Sequence, residues 1–158
     1  MATTPGAIRD RMVALVRALT PAVHARQGFQ HHREELTFRD HCEANPAQCL
    51  RKFSIRHLGF TSQALVTDHQ VERVEDELIV EVAYPLDWRH GGTQQLGLDD
   101  AIASDAVKIE AAIGVPSADA TLKGLATVFR PGETERDLSG AVVFLTIRYR
   151  VEYARSLA

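Results

Sequence analysis

Ile8, Met12, Leu15, Val16 and Leu19 recur three or four residues apart, which lays one apolar stripe along a helix. Thr4 stands where an N-cap belongs, and Pro5 fills the first helical position, where a missing N–H costs nothing. Thr20-Pro21 closes the segment, because a proline ring disfavours helix in the residue before it. Near the other end of the chain the period changes to two. Val143, Leu145, Ile147, Tyr149, Val151 and Tyr153 form one apolar face, while Thr146, Arg148, Arg150 and Glu152 point the other way. That alternation predicts a long strand over about 140–154, paired through a loop at 130–137 with a second strand over about 120–130.

Shorter patterns lie between these ends. Phe53, Ile55 and His57 alternate with Ser54 and Arg56 and predict a strand over about 50–58. Residues 59–63 read as a turn, and 64–75 lean toward extended structure on their β-branched content. Leu78, Val80, Val82 and Tyr84 share one face of a strand over 77–84, and Pro85 ends its ladder for want of an N–H. Residues 87–92 form a loop on glycine content, with Trp88 as either a lid over the core or an anchor in an interface. Asp99 fits the N-cap of a second helix over about 100–113, whose stripe is Ile102, Ala106, Ile109 and Ile113 and whose end is Gly114.

Residues 21–49 show no sustained period. They are rich in histidine and charge and read as a long, partly ordered excursion with room for a short helical turn. The element order is then helix, excursion, two or three strands, helix and hairpin. Consecutive strands favour antiparallel pairing, so the expected fold is α+β: a two-layer sandwich of a mostly antiparallel sheet with two helices packed on one face. The 158 residues fit a single domain with its excursion at about 21–49.

Composition narrows the function classes. With 45% hydrophobic and 25% charged residues the chain is an ordinary globular sequence, and no apolar run reaches the roughly 20 residues a membrane helix needs. The first residues lack the basic patch and apolar stretch of a secretory signal, so a cytoplasmic start is expected, with Cys42 and Cys49 as thiols. A net charge of −3 argues against a surface built to grasp nucleic acid phosphates.

The chemistry-bearing residues form no familiar constellation. His31-His32-Arg33-Glu34-Glu35 lacks both zinc-protease spacings, and a solvated polar loop is the plainer reading. His41, Cys42 and Cys49 could offer zinc three ligands, or the cysteines a disulfide, but the gap between them exceeds the usual two to four residues. None of the six serines lies in a nucleophile elbow, and no glycine run cradles phosphate. Asp99-Asp100 and Glu75-Asp76-Glu77 read as a helix start and a strand turn. His24, His57, His69 and His90 read as surface or rim residues. An enzyme is not expected, and no cofactor or metal.

The short amphipathic first helix, the strand Leu78 to Tyr84, the helix opening at Asp99-Asp100 and the final Phe-Leu-Thr-Ile-Arg-Tyr-Arg-Val-Glu-Tyr run together resemble the tail terminator proteins of long-tailed bacteriophages and phage-like particles. The resemblance covers most of the chain outside 21–49. It implies a subunit that forms a ring, about six copies in that family. The ring would cap the tail tube, end its polymerisation and meet the head connector or stopper protein, with DNA passing through unbound. It places the protein in the virion tail or neck after assembly in the host cytoplasm. The alternatives are another head–tail joining or neck protein and, further off, a small metal-dependent enzyme using His31, His32, His41 and the cysteines. Strand exposure nominates Arg148, Arg150 and Glu152 for contacts between neighbouring subunits. The loop residues Glu133, Glu135 and Arg136 are nominated for contact with tube or connector.

Overall fold

The computed structural model describes residues 4–23, 27–66, 71–86, 94–113 and 127–156, with side chains at 4–23, 27–59, 74–86, 97–113 and 134–153. Helix α1 spans Pro5–Arg17. Thr4 caps it from an extended backbone, its Oγ1 accepting from the Ala7 N–H at 3.1 Å. Ile8, Met12, Val13 and Val16 are buried along it, and Leu15 and Leu19 pack at the margin. The helix closes on the Ala18 N–H, three residues ahead of Pro21.

Five strands follow in the spatial order β1-β2-β3-β5-β4: β1 Gln30–His31, β2 Lys52–Val66, β3 Val71–Pro85, β4 Thr127–Ser139 and β5 Val142–Ser156. Only β1 runs parallel to its neighbour; the rest of the ladder is antiparallel. The fold is therefore the expected α+β arrangement. Val74, Leu78, Val80, Val82 and Tyr84 of β3 and the odd-numbered residues 143–153 of β5 face α1 and the third helix, α3 (Gln94–Ile113), in one core. Among the described residues no helix is long and apolar enough to cross a membrane.

Four local expectations are corrected. The turn at 59–63 does not form: β2 runs straight through it, paired residue by residue with β3. Leu58 is bulged out between His57 and Gly59, and Gly59 takes φ +147, a conformation open to glycine. The loop at 130–137 is also absent. β4 continues across it, a register shift between Pro131 and Thr134 absorbing the Pro-Gly pair, and the hairpin turns at Gly140-Ala141 instead. Gly140 sits at φ +61, the positive value that a two-residue hairpin loop needs at its first position. Third, α3 starts five residues before Asp99, because Leu98 adds another buried turn to its stripe.

The fourth correction concerns the excursion, which carries more order than a single turn. It holds β1, a 3₁₀ turn at Glu35–Thr37, helix α2 at Phe38–Ala44 and a second 3₁₀ turn at Pro46–Gln48. Helix α2 covers the opposite face of the sheet, where Phe38, Cys42 and Cys49 close over Ala83, Val142 and Phe144. Both cysteines are free and fully buried, and burial followed by the neighbouring Cys49 pushes the Cys42 thiol far up. The strand over about 120–126, Trp88, His24, His69, His90 and Gly114 lie outside the described residues.

One buried ion pair ties these layers together. Asp105 occupies an apolar position of α3, between Ile102 and Ile109, and is fully buried. Arg51, equally buried just before β2, donates from Nε to Asp105 Oδ2 at 2.7 Å and from Nη2 to Oδ1 at 3.3 Å. Its Nη1 reaches the Gln27 carbonyl at 3.0 Å, and Nη2 also donates to the carbonyl of Val23. The Tyr84 hydroxyl donates to the same Asp105 oxygen at 2.7 Å; burial, then the adjacent carboxylate, hold that phenol protonated far above its ordinary range. Arg51 adopts φ 55, an uncommon value for a side-chain-bearing residue, held by its N–H on Ala83 O at 2.9 Å and its carbonyl under Gln30 N at 3.1 Å.

Removing one partner strands the other charge in the core. Arg51→Met is expected to lose about 3–5 kcal/mol in urea unfolding. Replacing the set together (Arg51→Met, Asp105→Leu, Tyr84→Phe) recovers part of that loss, and the Val23 and Gln27 carbonyls keep it from being complete. A single variant that unfolds at the wild-type midpoint contradicts this role.

Candidate assembly surface

The sheet face covered by α2 at one end is charged at the other. Arg148 and Arg150 of β5 stand opposite Ile79 and Glu77 of β3, and each guanidinium leans diagonally to the next acid along. Arg148 Nη1 lies 3.7 Å from Glu77 Oε1 and Arg150 Nη1 3.9 Å from Glu75 Oε1, with all four side chains between 39% and 52% exposed. Pairs this long and this wet contribute roughly 0–1 kcal/mol each, so they can exchange partners at little cost. Glu152 lies on the same face, directly across from Glu75. The three residues nominated for neighbour contacts therefore form one row, already crossed by the acids of β3.

The residues nominated for tube or connector contact do not form a loop. Glu133 lies in β4 within the register shift after Pro131, and its side chain is outside those described. Glu135 and Arg136 are consecutive strand residues and point to opposite faces. Glu135, opposite Thr146, shares the face of Arg148. Arg136, opposite Leu145, faces α3, where Nη2 meets Asp99 Oδ1 at 2.6 Å. Thr134 Oγ1 donates to Glu110 Oε1 of the same helix at 2.8 Å. The period-2 rule applied to a strand at 127–139 separates Glu135 from Arg136, but the Pro-Gly pair hides that strand.

Sequence reasoning missed a clamp on the α2 side. Arg39 donates from Nε to Glu81 Oε2 and from Nη1 to Asp137 Oδ2, each at 2.7 Å, and stacks over the Phe144 ring at 4.6 Å. One arginine of α2 thereby grips β3, β4 and β5. Arg56 Nη2 reaches the other Glu81 oxygen at 3.5 Å, and the Ser139 hydroxyl donates to Glu43 of α2. His57 is a half-buried rim residue with Nδ1 2.9 Å from Oδ2 of the buried Asp76.

Charge is divided across the sheet. Helix α1 with β1 and β2 carries five basic residues, Arg9, Arg11, Arg17, Lys52 and Arg56, against the single Asp10. Helix α3 with β4 carries seven acids against three bases, six of the acids once the buried Asp105, neutralised by Arg51, is set aside. Some of this is answered locally, as where Arg9 meets Glu35 at 3.2 Å. The two ends of the sheet still differ in sign.

Histidines gather on the basic side. His32 stacks on His41 with ring centroids 4.8 Å apart, and Lys52 Nζ donates to His41 Nε2 at 2.9 Å. Burial, then His41 and Lys52, lower the pKa of His32 from its ordinary 6.5; burial, then Arg9 and Arg17, do the same to His31. Among the described residues no three His, Cys, Asp or Glu side chains converge as a metal ion would require.

The sign of the resulting pH effect follows from linkage. Both imidazoles release protons more readily in the fold than in the unfolded chain, so the unfolded state binds more protons once pH drops toward 6.5 and below. Their stabilisation is present above 6.5 and is lost as pH falls through the lowered folded values. Urea midpoints are expected to fall between pH 7.5 and 5.5, and to fall less in the His31→Gln, His32→Gln variant. Equal slopes in the two proteins contradict the assignment.

No family model matches the chain, and no curated protein sequence aligns with it.

Proposed function

We propose that this chain is a structural assembly subunit of the tail terminator type, acting in a virion tail or neck. Copies join head to tail into a ring of about six. The ring caps the tail tube, stops its growth and presents a face to the head connector or stopper protein, while DNA passes through it. The observation that carries this reading is the division of charge across one open sheet, basic at the α1–β2 end and acidic at the α3–β4 end. A surface that is self-complementary only between different patches produces heterologous contacts, and these close into rings when the rotation closes. The loosely paired row of Arg148, Arg150 and Glu152 adds charges that can re-pair with a neighbour.

The direct test adds the purified protein to polymerising tail tube subunits and follows tube length by electron microscopy. Shortened tubes with a ring at one end are expected, and unchanged growth with bare ends contradicts the proposal. Rings that form yet bind only the connector move the assignment to another neck component. The Arg148→Glu, Arg150→Glu variant should need at least about tenfold more protein to assemble. Unchanged assembly removes those two residues from the contact.

A further inference from the structure

Among the described residues, each end of the sheet has a stretch of strand with no strand on its outer side. At one end β1 covers only Lys52 and Phe53, so among the described residues β2 has no strand on its outer side from Ser54 onward. At the other end β4 pairs with β5 alone. Its first half is blunted by Pro131 and two register shifts, which protect an edge from stray pairing. Its second half, 134–139, keeps regular register and exposes Thr134 through Leu138. Strand direction alternates from β2 through β3 and β5 to β4. A second copy carried round with its strand direction kept thus brings its β2 antiparallel to β4.

We propose that neighbouring copies join by continuing the sheet: the 134–139 edge of β4 pairs antiparallel with the β2 edge beyond β1 in the next copy. This inference rests on the ring reading and supplies its contact. The side chains along the two edges complement each other. Glu135 lies on the same sheet face as Arg56, whose own contact with Glu81 is long at 3.5 Å, so an acid of one copy meets a base of the next; Asp137 beside it is already held by Arg39. Each edge also carries one of the exposed large apolar residues, Leu138 at 61% and Leu58 at 44%, which the joint would cover. Pairing β4 with another β4 would set Glu135 and Asp137 against the same acids, so the charge pattern favours a directional contact. Successive joints then run one way around the assembly and leave no open edge once it closes.

Backbone hydrogen exchange on the full chain reads this directly. Ser54 and Ile55 are already buried in the single copy, so the β2 reading is taken beyond them. In the assembled protein the amides that point outward at 134–139 and at 56–58 are expected to exchange at least about tenfold more slowly than in the monomer at low concentration. Arg56→Glu and Glu135→Arg alone should each weaken assembly, and the two together should restore it, since the swap returns opposite charges to the joint. Rings whose edge amides exchange as in the monomer, or whose assembly ignores both substitutions, overturn the sheet continuation and leave the ring reading standing. A chain that stays monomeric in the presence of tail tube overturns the ring reading itself.

Discussion

Arg51 and Asp105 decide how the layers of this molecule sit on one another. Apolar stripes on α1 and α3 would pack on the sheet in several neighbouring positions, because burial of apolar area has no direction. A fully buried guanidinium and carboxylate allow only one. The pair joins the middle of α3 to the residue preceding β2, and Tyr84 adds the end of β3 to the same oxygen. The remaining arginine donors hold the carbonyls of Val23, after α1, and Gln27, before β1. Such a pair adds little net stability over well-packed apolar residues, and its use here is to set register.

With the layers set, the edges follow. Helix α1 is placed toward β1 and β2, and α3 toward β4 and β5, where Asp99 and Glu110 reach Arg136 and Thr134. The basic residues of one helix and the acidic residues of the other are thereby carried to opposite ends of the sheet. Arg39 completes the frame from the second face by drawing Glu81 and Asp137 over Phe144. The same placement leaves β4 outermost at one end and, beyond the two residues paired with β1, β2 at the other, with no further strand on their outer sides among the described residues.

Much of this was legible from residue spacing, and the failures have common physical causes. Regular burial on one face writes a clean period, as in α1, in β3 from Leu78 to Tyr84 and throughout β5. Bulges erase it: Leu58 and Gly59 shift β2 by one residue, and Pro131-Gly132 does the same in β4, so each strand read as a strand plus a turn. Helix α2 is seven residues long and buries only Phe38 and Cys42, too short a run to repeat a pattern. Its place is set by Arg39, whose partners are 42 and 98 residues away. Asp105 was passed over in the sequence, although a carboxylate between Ile102 and Ile109 of an apolar stripe asks for a buried cation. Among the nominated contact residues, Arg148, Arg150 and Glu152 fall on one face as alternation requires. Arg136 is instead committed to Asp99 within its own chain.

The proposed assembly would complete, in a closed set of copies, a sheet whose edges are uncovered by other strands among the described residues of one copy. Native mass measurement across concentration and salt tests it most directly. The expected result is one dominant closed species at a fixed multiple of 17.5 kDa, near six copies, that loosens toward monomer as added salt screens the opposed edges. A monomer at every concentration and salt, with tail tube present or absent, would contradict it.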